Sequence, residues 1–242
     1  MKKVIKGKNK KNLVGELKRK GWDRVADVYA NDRRAGSIHH RFISDPALFE
    51  LVGKVLDKKI LDAGCGEGFI SRELARRGAK VVGVDLSGKL LKLARNEEAK
   101  NPLGVSYHCA SLNDLSCFPS GEFDMVIANL VLHDLEPLKE TIVEFNRVLR
   151  RKGKLVISLL NPILKRENYF QKGWYEFDWG SKYKTLASYH RPISDYFMVL
   201  IKEGFLVEEI LEPRPIASGL KYKELQEWNK KPLFIFIKTR KS

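Results

Sequence analysis

The sequence predicts an α/β fold: a doubly wound, mostly parallel sheet with helices on both faces. Three observations predict it. Short β-branched runs alternate with amphipathic stretches of roughly 10–15 residues. A glycine-rich run, Gly64 to Gly68, closes the first strand. An acid, Asp85, ends the second. Strands that alternate with helices of this length need crossovers, and crossovers make parallel neighbours that must be covered on both faces.

The elements follow in order. Trp22 to Leu56 reads as helical, with Val25, Val28 and Tyr29 on one face at i, i+3, i+4 spacing. Asp45-Pro46 reads as a helix start, with Asp45 as N-cap and Pro46 at the first helical position. The face Leu48, Leu51, Val52, Val55 follows. The period then changes: Lys59 to Asp62 is a short apolar strand running into the glycines. A helix from Phe69 to Arg77 closes at Gly78. Lys80 to Asp85 is a second strand, and Ser87 caps a helix from Lys89 to Lys100. Val105 to His108 and Phe123 to Ala128 read as strands three and four. Leu138 to Arg150 is helical, with Ile142, Phe145 and Leu149 on one face. Gly153 opens strand five, Lys154 to Ser158. After Asn161-Pro162 the rhythm is lost for about 30 residues, a length that in a compact domain marks a lid or binding segment. It resumes with a helix Ile193 to Glu203 and strands Phe205 to Ile210 and Leu233 to Ile237.

Composition narrows the class. The chain has 242 residues, 43% hydrophobic and 31% charged, enough for one large domain with a buried core. No apolar stretch reaches the ~18–20 residues of a membrane span, and Met1 to Lys20 lacks the apolar region of a secretory signal. A cytoplasmic location is the expectation. Three cysteines, Cys65, Cys109 and Cys117, give neither a disulfide framework nor a CxxC pair. The histidines form no HExxH arrangement, and adjacent His39 and His40 would diverge by about 100° on a helix, so no metal site is expected. The net charge is +15. A polyanion partner would want such a surface. A Lys/Glu/Arg-rich composition of the hyperthermophile kind explains it too, and is the reading preferred. Ten of the 45 basic residues fall in the first 24 positions, against Glu16 and Asp23 alone. Residues 1–20 are therefore expected to be a basic tail, and 21–242 one domain.

The segment Asp62-Ala63-Gly64-Cys65-Gly66-Glu67-Gly68 carries the chemistry. Its glycines stand at relative positions 0, 2 and 4, where a dinucleotide fingerprint has 0, 2 and 5. The spacing argues against NAD and toward a different small cofactor. Glycines there allow positive φ and close approach of backbone to ligand. Asp85, 23 residues after Asp62, is placed to accept from both hydroxyls of a ribose. As a bare helix-start charge it would also be favoured, but that reading leaves the glycine loop unexplained.

With these residues in view, Lys59 to Gly68 resembles motif I of the class I S-adenosylmethionine (SAM)-dependent methyltransferases. Val82 to Ser87 resembles the acidic motif that follows it. Phe123 to His133 resembles the strand-four motif. Leu149 to Ile157 resembles the strand-five entry, with Lys154 where a second glycine is usual. The ubiquinone/menaquinone-methylase-like, type 11 subgroup is the most similar, over about residues 20–212. The resemblance implies a seven-stranded Rossmann-like sheet, a helical cover at 21–57 and an insert at 161–192. It implies that Asp62 and the loop Gly64, Cys65, Gly66 and Gly68 hold the methionine end of SAM. Asp85 takes the ribose and Leu86 packs on adenine. Family members often carry an Asp near Ser111; Ser111-Leu112 stands here, so backbone or Asn113 would substitute. Asn129 should line the pocket.

The insert holds eight of the chain's 24 aromatics. A small satellite core would explain it, but the lid is the reading preferred, because the insert follows strand five, at the sheet edge where ligands bind in open α/β folds. Trp174, Trp179, Tyr189 and Arg191 are the acceptor-binding candidates, with Tyr29 from the helical cover, where core packing explains it as well. Tyr189 to Ser194 resembles the Tyr-His-Arg-Pro run of small-molecule members. His190 and His133 are candidate general bases, and each reads equally as a structural histidine. Ser194 or Asp195 is the candidate cap of the following helix. The function expected is methyl transfer to an O, N or C nucleophile of a small molecule. RNA or protein methylation is the alternative that the charge suggests, and a SAM-binding partner without catalysis is the third. Asn129 to Leu132 lacks the Asn/Asp-Pro-Pro-Tyr of exocyclic-amine methylases, and Cys117 lacks a Pro-Cys setting.

Overall fold

The structure, a computed structural model, describes residues 10–164, 168–177 and 186–242. The elements are α1 (Lys10–Arg34), α2 (Asp45–Val52), β1 (Lys59–Ala63), α3 (Phe69–Arg76), β2 (Lys80–Asp85), α4 (Gly88–Lys100), β3 (Ser106–Cys109) and β4 (Phe123–Asn129). They continue with α5 (Leu138–Val148), β5 (Leu149–Leu160), β6 (Gly173–Phe177), β7 (Leu186–His190), α6 (Ile193–Lys202), β8 (Phe205–Leu211), α7 (Lys223–Gln226) and β9 (Phe234–Lys241). Seven strands form one sheet in the order β3-β2-β1-β4-β5-β9-β8, and β6 and β7 make a separate two-stranded hairpin. The first five strands pair in parallel; β9 runs antiparallel between β5 and β8. This is the doubly wound sheet that the sequence predicts.

Both faces are covered, and the period of two decides which side chain goes where. Ile60, Met125, Ile127, Val156 and Phe236 face a layer containing Leu48, Leu51, Leu74 and Leu91. Their neighbours Leu61, Val126, Ala128, Leu155 and Ile237 face Ile142, Phe145, Tyr196 and Leu200. The chain winds outward from β1 to β3, then returns to place β4 on the other side of β1. That reversal opens a crevice at the C-terminal ends of β1 and β4, where such folds bind ligands.

Several local expectations are corrected. Asp45 is the first residue of α2 and caps nothing; its carboxylate takes Arg33 at 3.2 Å. A turn of π-helix, His40–Ser44, leads straight into α2, so no cap is needed there. Strand five starts at Leu149, because its first residues pair with Phe123 across an irregularity. Neither Ser194 nor Asp195 caps α6: the Ile193 N–H donates to the Tyr169 hydroxyl at 2.8 Å, and Asp195 pairs with Lys172 at 2.6 Å. Helix α1 begins at Lys10, so residues 10–20 of the expected tail are helical. Ser87 does cap α4, accepting from the Leu90 N–H at 3.1 Å, and Gly78 ends the α3 turn at φ 85°.

Candidate active site

The loop after β1 is built by close approach. Gly64 has φ 77°, and a Cβ there would stand 2.5 Å from Cγ2 of Val131, in the chain leaving β4. Glycine at this point lets the two strand ends draw together. Gly68 starts α3 at φ 81°, and any side chain there would run into the Tyr107 hydroxyl. The loop is tied to β2: Gly64 N–H and Cys65 N–H donate to the Val84 carbonyl at 2.7 and 3.0 Å. Asp85 completes the tie, accepting from Gly66 N–H and Ser87 N–H, each at 2.8 Å. A carboxylate offers about four acceptor positions, so capacity remains for a ligand's hydroxyls. Burial raises the Asp85 carboxyl, and the backbone N–H groups partly offset that.

Asp62 plays a different part. It is 1% exposed and accepts from the Ser71 hydroxyl at 2.5 Å, fastening β1 to α3 beneath the loop. Burial pushes its carboxyl up to about 7 despite the Ser71 bond, with Asp85 and Glu67 adding to the rise. Cys65 is buried, and its thiol is pushed far up, first by burial and then by Asp62.

A cavity lies over the ends of β1 and β4. Tyr29, Gly64, Gly66, Asp85, Leu86, Ser111, Leu112, Asn129 and His133 line it together, as the sequence places them. The Ser111 hydroxyl donates to Asn113 Oδ1, and Asn129 Oδ1 accepts from the Ser158 hydroxyl at 2.6 Å. Leu130 follows at φ 56°, an unfavourable conformation for a branched side chain and of a kind that gathers at functional sites.

The roof comes from two elements. Trp22 and Tyr29 of α1 pack with Val25 against Leu186 of β7, their rings edge-on at 5.4 Å. Burial holds the Tyr29 phenol far above its ordinary value. Helix α1 is pinned beside the end of β2 by Asp23, which accepts from the Ser87 hydroxyl at 2.5 Å and Lys89 N–H at 3.2 Å. At the other end Asp134 joins three walls. It accepts from the Trp22 indole N–H at 3.3 Å and from the Ser188 hydroxyl at 2.6 Å. Next to it, His133 Nε2 stands 3.8 Å from Asp134 Oδ1.

Other candidates lie elsewhere. His190 is 3% exposed, with Nε2 2.7 Å from the Tyr169 carbonyl, and does not line the cavity. Trp174 and Tyr189 pair across the hairpin, ring centroids 5.3 Å apart, and neither lines it. Arg191 is buried with its guanidinium bound to the chain after β4, so it presents no free fork to an acceptor. Asp62, Cys65 and Gly68 support the loop from behind rather than facing the cavity. Trp179 lies outside the described residues. Trp22, His40, Asp134 and the apolar Leu135, Leu160 and Leu186 line the cavity without having been singled out. Trp22 had a signal: it stands seven residues, two helical turns, before Tyr29 and so on its face. Among the described residues, no group of three or more His, Cys, Asp or Glu could hold a metal ion, and no helix is long and apolar enough to cross a membrane.

A doubly wound sheet with this strand order, a glycine loop after β1 and an acid ending β2 define a class of cofactor-dependent group-transfer enzymes. The methyltransferase-domain family matches residues 61–157. A ubiquinone biosynthesis O-methyltransferase of Xanthomonas oryzae is 34% identical, covering 75% of this chain and 70% of its own length. A SAM-dependent methyltransferase from Mesorhizobium loti superposes with TM-score 0.68 at 28% identity, over 86% of this chain and 99% of the other. A similar protein from Listeria monocytogenes superposes with TM-score 0.72 at 24% identity, over 81% and 96%. The chain belongs to the class I SAM-dependent methyltransferases, and SAM is its cofactor.

Proposed function

We propose that this methyltransferase acts on a small molecule with an apolar body, at a hydroxyl or similar nucleophile presented to the chain after β4. The cavity's apolar lining carries this reading. It includes Leu130, Val131, Leu135, Leu160 and Leu186, under a roof of α1 and β7. An apolar wall with few polar groups is what a small-molecule site needs. The Xanthomonas relative is named for O-methylation in ubiquinone biosynthesis, and an acceptor with a ring hydroxyl suits this lining.

The cofactor half fits SAM. Gly64 and Gly66, both at positive φ, leave bare backbone at the cavity wall, where a ligand could come close. Asp85 keeps acceptor capacity that would serve the ribose hydroxyls, and Leu86, with Ser111 and Leu112 in the same lining, would hold adenine. We assign Asp62 to bracing the loop that holds the methionine end. When bound, SAM supplies a methyl group made electrophilic by its sulfonium. The chain's own work is to hold the acceptor in line and keep water out. His133 lines the cavity whereas His190 does not, so we assign proton acceptance to His133.

The test has two arms. In calorimetric titration S-adenosylhomocysteine should bind and NAD should not. Asp85→Ala should weaken that binding about ten- to a hundred-fold, since hydrogen bonds to a charged acceptor contribute roughly 1.5–3 kcal/mol. In the second arm, SAM labelled in its methyl group is offered with a panel of catechols and hydroquinones, bulk tRNA and cell protein. Label should pass to the small molecules. Label entering only RNA or protein would overturn the acceptor class and leave the cofactor assignment standing.

A further inference from the structure

We propose that Arg191 is a positioning residue for methyl transfer, holding the chain Leu132–Glu136 so that His133 and Asp134 face the acceptor. The proposal rests on the reading that this chain is the acceptor wall.

Five of the six residues from Leu130 to Leu135 line the cavity; Leu132 is buried beneath. The wall does not support itself well. Leu130 enters it at φ 56°, a conformation that disfavours a branched side chain. The bond from Leu135 N–H to the Leu132 carbonyl is long at 3.4 Å, although Asp134 N–H reaches the Val131 carbonyl at 2.9 Å. Trp22 and Ser188 hold the Asp134 side chain and Ser158 the Leu130 N–H, but the backbone from Leu132 to Leu135 needs a further support.

Arg191 does so from below. One guanidinium nitrogen donates to the Leu132 carbonyl at 3.0 Å. The other donates to the Leu135 carbonyl and to Glu136 Oε2, each at 2.6 Å. The two carbonyls flank His133 and Asp134, so the fork grips both sides of the pair that faces the cavity. The group is 3% exposed, with the rings of Tyr189 and Tyr196 at 4.6 and 5.3 Å from its central carbon. A planar fork between rings has one orientation, and its donors reach three acceptors at fixed angles. Arg191 also stands where β7 ends and α6 begins. It therefore sets the wall against the same hairpin that closes the roof. A lysine would keep the charge and much of the volume but could not span the three acceptors.

The experiment compares wild type with Arg191→Lys. Hydrogen exchange at amides 130–136 should quicken by at least about tenfold, while the loop 64–68 exchanges as before. Binding of S-adenosylhomocysteine should stay within about threefold. With a catechol that the wild type methylates, kcat should fall by at least roughly tenfold with the KM for SAM unchanged, since small misplacements of an acceptor are costly. Unchanged exchange at 130–136 would overturn the proposal. So would a parallel loss of homocysteine-product affinity, protection throughout the chain and turnover, which marks a merely structural residue. If the wild type methylates no catechol, the acceptor reading fails, and the exchange and binding arms still decide on Arg191. If Arg191→Lys does not fold, Glu136→Gln removes one charged partner of the fork. It should quicken the same amides, by less, and no change there would overturn the proposal.

Discussion

Two aspartates end neighbouring strands, and their surroundings give them opposite tasks. Asp85 is held by backbone donors at the edge of the cavity, whereas Asp62 is sealed beneath the loop with Ser71. That difference has a pH consequence. The Asp62 carboxyl sits at about 7 in the folded chain, against about 3.9 in an unfolded one. Its folded state binds the proton more tightly, so its contribution to stability is fully present below pH ~4 and is lost as the pH rises through ~7. Asp62→Asn keeps the acceptor for Ser71 and removes the titration. Its stability relative to wild type, read from melting temperatures, should therefore climb between about pH 4 and pH 7, at a limiting rate of roughly 1.4 kcal/mol per pH unit, and level off above. Parallel melting curves over that range would show that Asp62 is ionised at little cost.

The elements divide into those that the sequence specifies and those that it leaves open. Strands β1 and β2 were legible because an apolar run that ends in an acid or runs into glycine reads as a strand in a parallel sheet, and β4 because Met125 to Ala128 is a short apolar run of strand length. The part of the cavity that we assign to the cofactor was legible from local signals: close approach at Gly64 and the acid at Asp85 show in the chain itself. The part that we assign to the acceptor was not. Aromatic abundance pointed to Trp174 and Tyr189, yet it is Leu186 of β7 that packs with Val25, Trp22 and Tyr29 to close the roof. Alternation along a strand separates two faces but does not say which is inward, and the hairpin's inner face is fixed by α1, more than 150 residues earlier. Asp134 was passed over because its partners, Trp22 and Ser188, are distant in the chain. The two faces of the hairpin can be told apart in solution. Leu186→Ala opens a hole under the roof and should cost about 2–5 kcal/mol locally. It should quicken hydrogen exchange in 22–29 and 186–190 and weaken S-adenosylhomocysteine binding. Trp174→Ala removes an aromatic pair worth about 0.5–1.5 kcal/mol and should leave both unchanged. If Trp174→Ala weakens binding and Leu186→Ala does not, the roof has been assigned to the wrong face.

At the scale of the whole molecule, the net charge of +15 and the largely apolar cavity pull toward different partners. The charge is unevenly spread: residues 1–11 carry six lysines and no acid. The cavity takes its roof from the far end of α1, at Trp22 and Tyr29, and α1 is anchored there through Asp23 to Ser87 and Lys89. Surface charge acts on solubility and on encounter with polyanions rather than on the fold, so the two ends of this helix should be separable. We propose that residues 1–20 act as a basic tail independent of the methyl-transfer site. A chain lacking Met1 to Lys11 should keep its melting temperature to within about 2 °C, because a polar stretch without apolar periodicity anchors little core. Its affinity for S-adenosylhomocysteine and its turnover of small acceptors should match the full chain. Its retention on heparin should fall, and any RNA binding should lose affinity with a shallower dependence on salt, since each lysine withdrawn from a phosphate releases fewer counterions. Loss of S-adenosylhomocysteine affinity on truncation would show that the start of α1 is coupled to the roof. Loss of small-molecule turnover with affinity intact would instead bring the tail into the acceptor's path.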